Sequence, residues 1–237
     1  MNKKIKILHI LWSGRSGGAE RFVHDITIYS DKKIFEHEVC FLSQGGWLAD
    51  EMVKNAVNVY YLGMKSGFSV LAALQLFFVI SKIKADIINT HSKNYLANTI
   101  IMLFSKIKKV HFEHGGNLIG NNPKRDVMFY NYLGRFYDSI IANSNYVKNK
   151  LIKLTKVNPD KIKMFSISID PEKYECKINN SNLKTQLGIS LKNKVIGMVG
   201  RLVESKGIDD FIKVASEIQA LYKSCSFVVV FEGNLEI

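Results

Sequence analysis

Two cationic side chains stand in a short loop late in the sequence, between an apolar segment and a helical one. Arg201 and Lys206 bracket this loop, and the segment after Gly207 has apolar residues at the spacing of one buried helix face. A turn from a strand into a helix presents free backbone N–H groups and the positive end of the helix dipole. Arginine and lysine add two full charges, so the loop can hold a phosphate. The alternative is an ordinary turn with two solvated cations.

A glycine-containing loop follows the first apolar segment. Gly17 and Gly18 stand between a predicted strand over 5–11 and a helical segment. They would let a bulky ligand approach main-chain N–H groups, or they serve only the packing of a turn. The glycines do not fit the GxGxxG fingerprint, and Glu36 and Glu38 stand at the start of the next strand, where a ribose-binding acid does not belong. A nicotinamide or flavin cofactor is therefore disfavoured.

Two histidines stand at the ends of later predicted strands. A neutral imidazole at His91 or His114 could hydrogen-bond or shuttle a proton at a sugar or phosphate, or it could bond only to a backbone carbonyl. His111 and Glu113 come just before His114, which suggests a metal site. Along a strand, however, His111 and Glu113 share one face while His114 points to the other, so the three side chains do not converge. We expect no metal ion here.

Alternating strands and helices must position these residues. The apolar patterns predict strands over 5–11, 38–42, 58–62, 86–91, 109–112, 139–144 and 162–169, separated by helical segments, and then a strand, a helix and a strand over 194–231. This alternation predicts an α/β fold with a doubly wound, Rossmann-like parallel sheet. Ligands bind beyond the carboxyl ends of such strands, which places Gly17, Gly18, His91 and His114 along one rim.

A polar stretch predicts the domain boundary. Residues 172–190 have a weak apolar pattern and read as a linker between an N-terminal domain over 1–171 and a C-terminal segment over 191–237. A complete doubly wound domain needs about 100 residues or more. We therefore expect the second domain to be truncated, with apolar side chains of its strands and helix partly exposed.

Composition limits the partners. The chain has 237 residues and a net charge of +12, which favours a nucleotide, a nucleic acid or an anionic membrane surface as partner. The basic residues carry no nucleic-acid-binding signature. Three cysteines without a CxxC pair indicate a reducing, cytoplasmic compartment. The apolar helices predicted over 68–84 and 95–109 either pack in the core or lie on the inner face of a membrane.

In their order along the chain, these segments resemble glycosyltransferase family 4. The resemblance rests on Gly17-Gly18-Ala19-Glu20-Arg21, His91, His114-Gly115, Asn143-Ser144, Ile169-Asp170, and Gly200-Arg201-Leu202 with Lys206-Gly207. It implies a GT-B fold with an acceptor-side first domain and a nucleotide-sugar-binding second domain. It also implies transfer of a sugar, with retention, from a nucleotide-diphosphate sugar to a surface-glycan or lipid-linked acceptor.

The resemblance assigns roles to individual residues. It implies that Arg201 and Lys206 hold the donor pyrophosphate and that the loop of Gly17 and Gly18 approaches donor and acceptor. His114 would hydrogen-bond the transferred sugar near the reacting carbon, and His91 would contribute to substrate binding. The family needs no metal or other cofactor, because protein cations and a helix dipole neutralise the diphosphate. Acceptor identity would be read by the loops over 65–68 and 117–126.

Three features depart from the family pattern. Lys93 stands where many relatives have a second histidine, Ile167-Ser168 replaces the usual Asn-Gly, and the sequence ends before the Glu, seven residues, Glu motif of the family. Two other interpretations stay open. The chain could be a non-catalytic acceptor-binding module or half of a split enzyme, whose partner chain supplies the rest of the donor domain. The second interpretation is an enzyme of the same architecture that epimerises a sugar nucleotide.

Overall fold

A computed structural model describes most of the chain, and it separates two compact units. The described residues are 3–15, 17–115, 123–169, 171–174, 180–201 and 206–232. Clustering of contacts divides the chain into Met1–Ile169 and Asp170–Ile237. Part of the predicted acceptor loop, residues 117–122, lies outside the described residues, as does Asp170.

The first unit is built on a seven-stranded sheet in the order β3-β2-β1-β4-β5-β6-β7, with every neighbouring pair parallel. Its strands are β1 (Ile5–Leu11), β2 (Phe35–Phe41), β3 (Asn58–Tyr61), β4 (Ile87–Thr90), β5 (Lys108–Glu113), β6 (Ser139–Ala142) and β7 (Ile162–Met164). The strand order reverses between β1 and β4. In doubly wound sheets, that reversal is where ligands bind.

Among the described residues of this unit, six α-helices connect these strands. They are α1 (Gly18–Tyr29), α2 (Trp47–Lys54), α3 (Val70–Ile83), α4 (Tyr95–Met102), α5 (Lys124–Leu133) and α6 (Asn145–Leu154). Three of them begin at a side-chain cap, because Ser69, Asn94 and Ser144 each accept a hydrogen bond from the backbone N–H three residues later. Such caps satisfy N–H groups that have no partner within the helix, so polar residues determine where these helices start.

Helices cover both faces of the sheet. Adjacent residues of β1 enter different hydrophobic clusters: Ile10 packs with Leu76 of α3, and Leu11 packs with Phe22 of α1. This follows from the alternation of side chains along a strand. A third cluster joins β6 to α5 and α6 around Tyr130 and Leu151. Strands buried on both faces explain the nearly continuous apolar runs in the sequence.

Helix α3 has an apolar surface on two sides. Ala72, Leu76 and Ile80 are buried in the core, as the core-packing interpretation predicts. Leu74 and Phe78, however, are 54% and 67% exposed. No helix among the described residues is both long and apolar enough to cross a membrane.

Two predicted elements are longer than the observed ones. The helix predicted over 95–108 ends at Met102, because Leu103, Phe104 and Ile107 donate to carbonyls three residues back and form turns. The strand predicted over 162–169 ends at Met164. Strand β7 is the edge of the sheet, and its neighbour β6 already ends at Ala142, so the following residues lack a strand to pair with. The other predicted strands of this unit differ only at their ends.

The second unit contains a parallel pair of strands, β8 (Lys194–Arg201) and β9 (Cys225–Glu232), with the helix α8 (Ile208–Leu221) between them in sequence. A short helix, α7 (Asn180–Gln186), lies within the stretch that was predicted as a linker. The expected exposure of apolar residues in this unit is confirmed, since Val199 is 81% exposed. Ile196, Ile212 and Val230 are exposed as well, and Phe211 and Val228 are half-buried.

Candidate functional site

Polar and aromatic side chains gather at the carboxyl ends of the central strands. Trp12 follows β1, His91 follows β4, His114 follows β5 and Asn143 follows β6. The backbone N–H of His91 donates to the carbonyl of Ile10 at 2.8 Å, which continues the pairing of β1 with β4 past the last strand residue. The rim that the sequence predicted for the two histidines is therefore present at the point where strand order reverses.

His91 and His114 are in direct contact. Nδ1 of His91 lies 3.0 Å from Nε2 of His114, and Phe22 of α1 packs edge-on against both rings. Burial lowers the pKa of His114 to about 4 and holds the pKa of His91 well below its usual value. Both imidazoles are therefore neutral at pH 7, and each can donate one hydrogen bond and accept another.

The ring contacts continue from His91 away from the rim. Nε2 of His91 lies 3.2 Å from Nδ1 of His9, and Nε2 of His9 lies 3.0 Å from Nδ1 of His37. Ser30 Oγ is 2.8 Å from the remaining ring nitrogen of His37. Sequence reasoning missed His9 and His37. For His9 the available signal was a polar residue between the apolar Leu8 and Ile10 of a strand, which calls for a specific partner. His37 stands between two glutamates and gave no such signal.

The opposite face of β5 carries a buried ionic cluster. Nζ of Lys93 lies 2.9 Å from Oε2 of Glu113 and also contacts the carboxylate of Asp126. Tyr130 donates its hydroxyl to Glu113, and the N–H of Gly115 donates to the other carboxylate oxygen at 2.7 Å. Burial raises the pKa of Glu113, but Lys93 and these hydrogen bonds outweigh burial and the net pKa is lowered. The lysine that departs from the family pattern is thus a counter-ion for two buried carboxylates.

His111 belongs to this same face. Its Nδ1 lies 2.6 Å from Thr90 Oγ1, and burial lowers its pKa to about 3. His111 and Glu113 point away from His114, as strand alternation predicts. Across the described residues, no group of three or more His, Cys, Asp or Glu side chains is arranged to hold a metal ion.

A shallow pocket of ≈ 340 Å³ opens beside this cluster. Trp12, 37% exposed, contributes an aromatic ring to it, and Arg125 contributes an exposed cation next to the Lys93–Asp126 pair. Aromatic faces pack on the apolar face of a sugar ring, while cations and carboxylates bind phosphates and hydroxyl groups. The full lining is Trp12, Gly67, Ser92, Lys93, Asn94, Arg125 and Asp126.

The two glycines at the start of α1 differ from one another. A Cβ at Gly17 would lie 2.2 Å from Oε2 of Glu20, whereas a Cβ at Gly18 would meet nothing within 4 Å. At Gly17 the close neighbour is therefore the end of the flexible Glu20 side chain, whereas the backbone at Gly18 is open to a ligand. Arg21 ends the glycine motif that carries the family resemblance, although the sequence assigned it no role. Its Nε pairs with Asp25 at 3.1 Å, but Nη2 is buried without a hydrogen-bond partner among the described residues.

The cationic loop of the second unit leaves the end of β8. Arg201 is the last residue of this strand, and the side chain of Lys206 passes 3.8 Å from the position that a Cβ of Gly200 would occupy. Residues 202–205 and the side chain of Arg201 lie outside the described residues. The two predicted phosphate-binding residues thus stand on either side of one strand-to-helix connection.

Gly207 begins the helix that follows this connection. Its φ of +68° lies in the left-handed region that favours glycine, and no side chain caps the helix. The residue at the start of this helix therefore leaves the N–H groups of the first turn uncapped by its own side chain. Asp209 and Asp210 also occupy this turn, so an anion would depend on the nearby cations to offset two carboxylates.

The parallel sheet with polar side chains along its carboxyl rim, followed by a second parallel unit, defines a fold of GT-B type. The family model "Glycosyltransferase Family 4" matches residues 16–173, and the chain belongs to this family.

Individual relatives agree with this assignment. A UDP-Gal:alpha-D-GlcNAc-diphosphoundecaprenol alpha-1,3-galactosyltransferase from Escherichia coli is 26% identical over 248 residues, covering 99% of this chain and 64% of that enzyme. The chain thus spans less than two thirds of that relative's length. The solved structure of Anabaena HepE with UDP and glucose has a TM-score of 0.68 at 19% identity, covering 95% of this chain and 69% of that one.

The same fold occurs in a different enzyme class. UDP-GlcNAc 2-epimerase from Neisseria meningitidis, bound to UDP-GlcNAc, has a TM-score of 0.61 at 18% identity, covering 97% of this chain and 66% of that one. At such identities these solved structures confirm the predicted fold, and the fold by itself does not distinguish the two enzyme classes.

We predict that Lys93→Met destabilises the first unit by about 3–5 kcal/mol at pH 7, because Glu113 and Asp126 would stay buried without a cation. In the unaltered protein the pKa of Glu113 is below 4.5, so its stabilising effect is present above that pH and is lost as pH falls through the lowered pKa. Without Lys93, burial would raise this pKa, and the deficit of the variant should shrink as pH falls toward 4.5.

Urea unfolding followed by tryptophan fluorescence measures this effect, since both tryptophans, Trp12 and Trp47, lie in the first unit. The matched control is Lys108→Met, which removes an exposed pair with Asp138 and should cost less than about 1 kcal/mol. If the two substitutions lower the free energy of unfolding equally, the buried cluster contributes no more to stability than an exposed ion pair.

Proposed function

We propose that the chain acts in a glycosyltransferase that moves a sugar from a UDP-sugar to a lipid-linked saccharide, with retention of configuration. Membership of family 4 carries this proposal. The name of the Escherichia coli relative supports a UDP-sugar donor and a polyprenyl diphosphate acceptor, and UDP is bound in the structure of HepE. Retention would require the acceptor oxygen to reach the sugar carbon from the face that the diphosphate leaves.

The donor is proposed to bind through its diphosphate to the loop of the second unit, which would be the start of the nucleotide-sugar-binding domain. As the bond from the sugar carbon to the diphosphate breaks, the electron pair stays on the phosphate oxygen. Arg201 and Lys206 would stabilise that charge together with the N–H groups of the first turn of α8. These groups support a reaction without a metal cofactor.

His114 is proposed as the catalytic residue at the transferred sugar. Its Nε2 contacts Nδ1 of His91, and its Nδ1 has no hydrogen-bond partner among the described residues. Since the pKa of His114 is about 4, the ring is neutral at pH 7 and can bond to a sugar hydroxyl without adding charge. His91 and the open backbone at Gly18 would complete the substrate-binding groups of the first unit.

The donor site is tested by calorimetric titration of the chain with UDP and UDP-galactose. Arg201→Ala and Lys206→Ala should each weaken binding about tenfold to a hundredfold, because each removes a charge-assisted contact worth about 1.5–3 kcal/mol. The matched control replaces Lys213 and Lys223, which lie on α8 and after it, by alanine. A folded chain that binds neither ligand would favour the non-catalytic acceptor-binding module.

The acceptor is proposed to bind in the pocket of Trp12, Lys93 and Arg125. The indole of Trp12 would pack on the acceptor sugar, and Arg125 would bind the diphosphate that joins the sugar to its lipid. The pocket includes Gly67 and Asp126, which belong to the two loops that the sequence assigns to acceptor recognition.

The acceptor site is tested with N-acetylglucosaminyl diphosphate on a short, water-soluble prenyl chain. Trp12→Ala should weaken its binding about tenfold, the loss expected for one buried aromatic contact, and should leave UDP binding unchanged. Trp47→Ala is the control, because Trp47 is an exposed tryptophan that does not line the pocket. If both variants lose the same affinity for this acceptor, the acceptor does not bind in this pocket.

We also propose that α3 places the protein on the inner, anionic face of a membrane. The helix exposes Leu71, Leu74 and Phe78, whose positions at i, i+3 and i+7 form one stripe. Exposed lysines follow at Lys82 and Lys84. An apolar stripe beside cations suits the boundary between acyl chains and anionic headgroups, and the same surface would bring a lipid-linked acceptor to the protein.

Flotation with vesicles measures this association. Binding to vesicles containing phosphatidylglycerol should exceed binding to phosphatidylcholine alone and should weaken with salt. Replacing Leu71, Leu74 and Phe78 together by glutamine should lower binding at least about tenfold, since each buried side chain contributes about 1.5–3 kcal/mol. Tyr132→Gln removes an exposed aromatic elsewhere on the unit and should have no effect. Self-association of the chain through α3 would contradict the proposal.

A further inference from the structure

Four of the six histidines form one unbranched chain of ring contacts across the sheet. The order is His114, His91, His9 and His37, and each contact joins Nε2 of one ring to Nδ1 of another. Every link has the same sense: Nε2 belongs to the ring nearer to His114, and Nδ1 belongs to the ring nearer to His37. Ser30 Oγ occupies the last Nε2 position, on His37.

The number of hydrogens on the ring nitrogens limits this chain of four histidines to two tautomeric states. Burial lowers the pKa of all four imidazoles, so each ring carries a single N–H at pH 7. Each nitrogen-to-nitrogen contact requires one hydrogen, because two lone pairs repel and two N–H groups collide. Three hydrogens therefore lie inside the chain and the fourth lies at one end. All four rings are Nε2–H tautomers in one state, and all four are Nδ1–H tautomers in the other.

We propose that Ser30, His37, His9 and His91 are positioning residues that set the tautomer of His114 and carry a proton between it and the half-buried far end of the chain. The consequence for turnover rests on the proposed role of His114 at the transferred sugar. In the Nε2–H state, Nδ1 of His114 accepts a hydrogen bond from a sugar hydroxyl. In the Nδ1–H state, the same atom donates one.

Passage of a proton along the chain balances without any oxidant or second reactant. A proton that binds Nδ1 of His114 displaces the hydrogen on Nε2 toward His91, and the same exchange repeats at His9 and His37. A proton then leaves Nε2 of His37 for solvent, either directly or through Ser30, whose hydroxyl accepts it and releases its own proton to solvent. Each ring ends neutral with its hydrogen on the other nitrogen, so the chain has switched state and no charge remains buried.

Packing alone does not require this arrangement. Buried imidazoles need partners, and isolated pairs or backbone carbonyls would satisfy them. His24 shows that simpler solution, since it is buried between the carboxylates of Asp25 and Glu51. The four-histidine chain instead joins both nitrogens of His91 and both nitrogens of His9 to other imidazoles. One end of this histidine chain is His114 on the rim, and the other end is half-buried Ser30.

The first test is long-range proton–nitrogen NMR of the whole protein with labelled histidine, which reports the tautomer of each ring. The four rings of the chain should show one common fraction of the Nδ1–H form, independent of that of His24. Rings of opposite tautomer in the unaltered protein would overturn the proposal, whatever the enzyme activity. This measurement needs no donor or acceptor, so it is separate from the test of the proposed function.

Substitutions then test the coupling. His9→Phe keeps a ring in the core but interrupts the chain, so His37 should acquire a tautomer fraction different from that of His91 and His114. Should this variant fail to fold, His37→Phe removes only the half-buried end ring, and the three remaining rings should still agree. His24→Gln is the control and should leave the common fraction unchanged. A common fraction that survives His9→Phe overturns the coupling.

Turnover of UDP-galactose with the prenyl diphosphate acceptor gives the functional measurement. His9→Phe should lower kcat about tenfold to a hundredfold, the range for residues that orient a reacting group through another side chain, with the affinity for UDP unchanged. If kcat is unchanged in His9→Phe although the contacts between the histidines are interrupted, these histidines have no role in turnover. Absence of transfer by the unaltered chain would count against the proposed function, while the NMR result would still decide the tautomer coupling.

Discussion

The parallel pairing of β1 with β4 is the contact on which the candidate site depends. These strands are distant in sequence order but adjacent in the sheet, with His9 opposite Asn89 and Ile10 opposite Thr90. The pairing continues to the N–H of His91, so the imidazole that follows β4 lies over the end of β1. Because strand order reverses here, helices depart to either side and leave the rim accessible.

Strand β5 then separates two polar environments that would interfere with one another. On one face Lys93 neutralises two buried carboxylates, and on the other His114 joins uncharged rings. Burial makes both arrangements demanding, because an unpaired charge or an unsatisfied imidazole in the core is costly. Glu113 still acts on the site indirectly, since its carboxylate receives the N–H of Gly115 and thereby holds the backbone beside His114.

Helix α3 shows how one element can serve the core and a surface at once. Its residues are apolar on nearly every side of the helix, so the sequence alone does not indicate which side is buried against the sheet. Leu76 and Ile80 are buried because the sheet lies beneath them, and Leu74 and Phe78 are left exposed by the same geometry. Lys82 in its last turn and Lys84 just after it complement an anionic surface, and the net charge of +12 acts in the same direction.

Much of the fold was predictable from local patterns. The period of apolar residues distinguishes strands from helices, polar caps at Ser69 and Ser144 mark helix starts, and alternation of the two implies a parallel sheet. Element ends were harder to predict, as at Met102, because turns after a helix depend on packing. The rule for carboxyl ends of strands was sufficient to bring His91 and His114 to one rim.

The sequence by itself determined the order of elements, the family, and the residues that stand at strand ends, since these depend on neighbours along the chain. Only the tertiary structure decided that His9 and His37 extend the contacts of His91, and that Lys93 lies between Glu113 and Asp126. Those partners come from strands and helices far apart in sequence. Strand alternation fixes the face on which each side chain lies, but the distances also depend on which strands and helices pack together, and neighbours along the chain do not fix that.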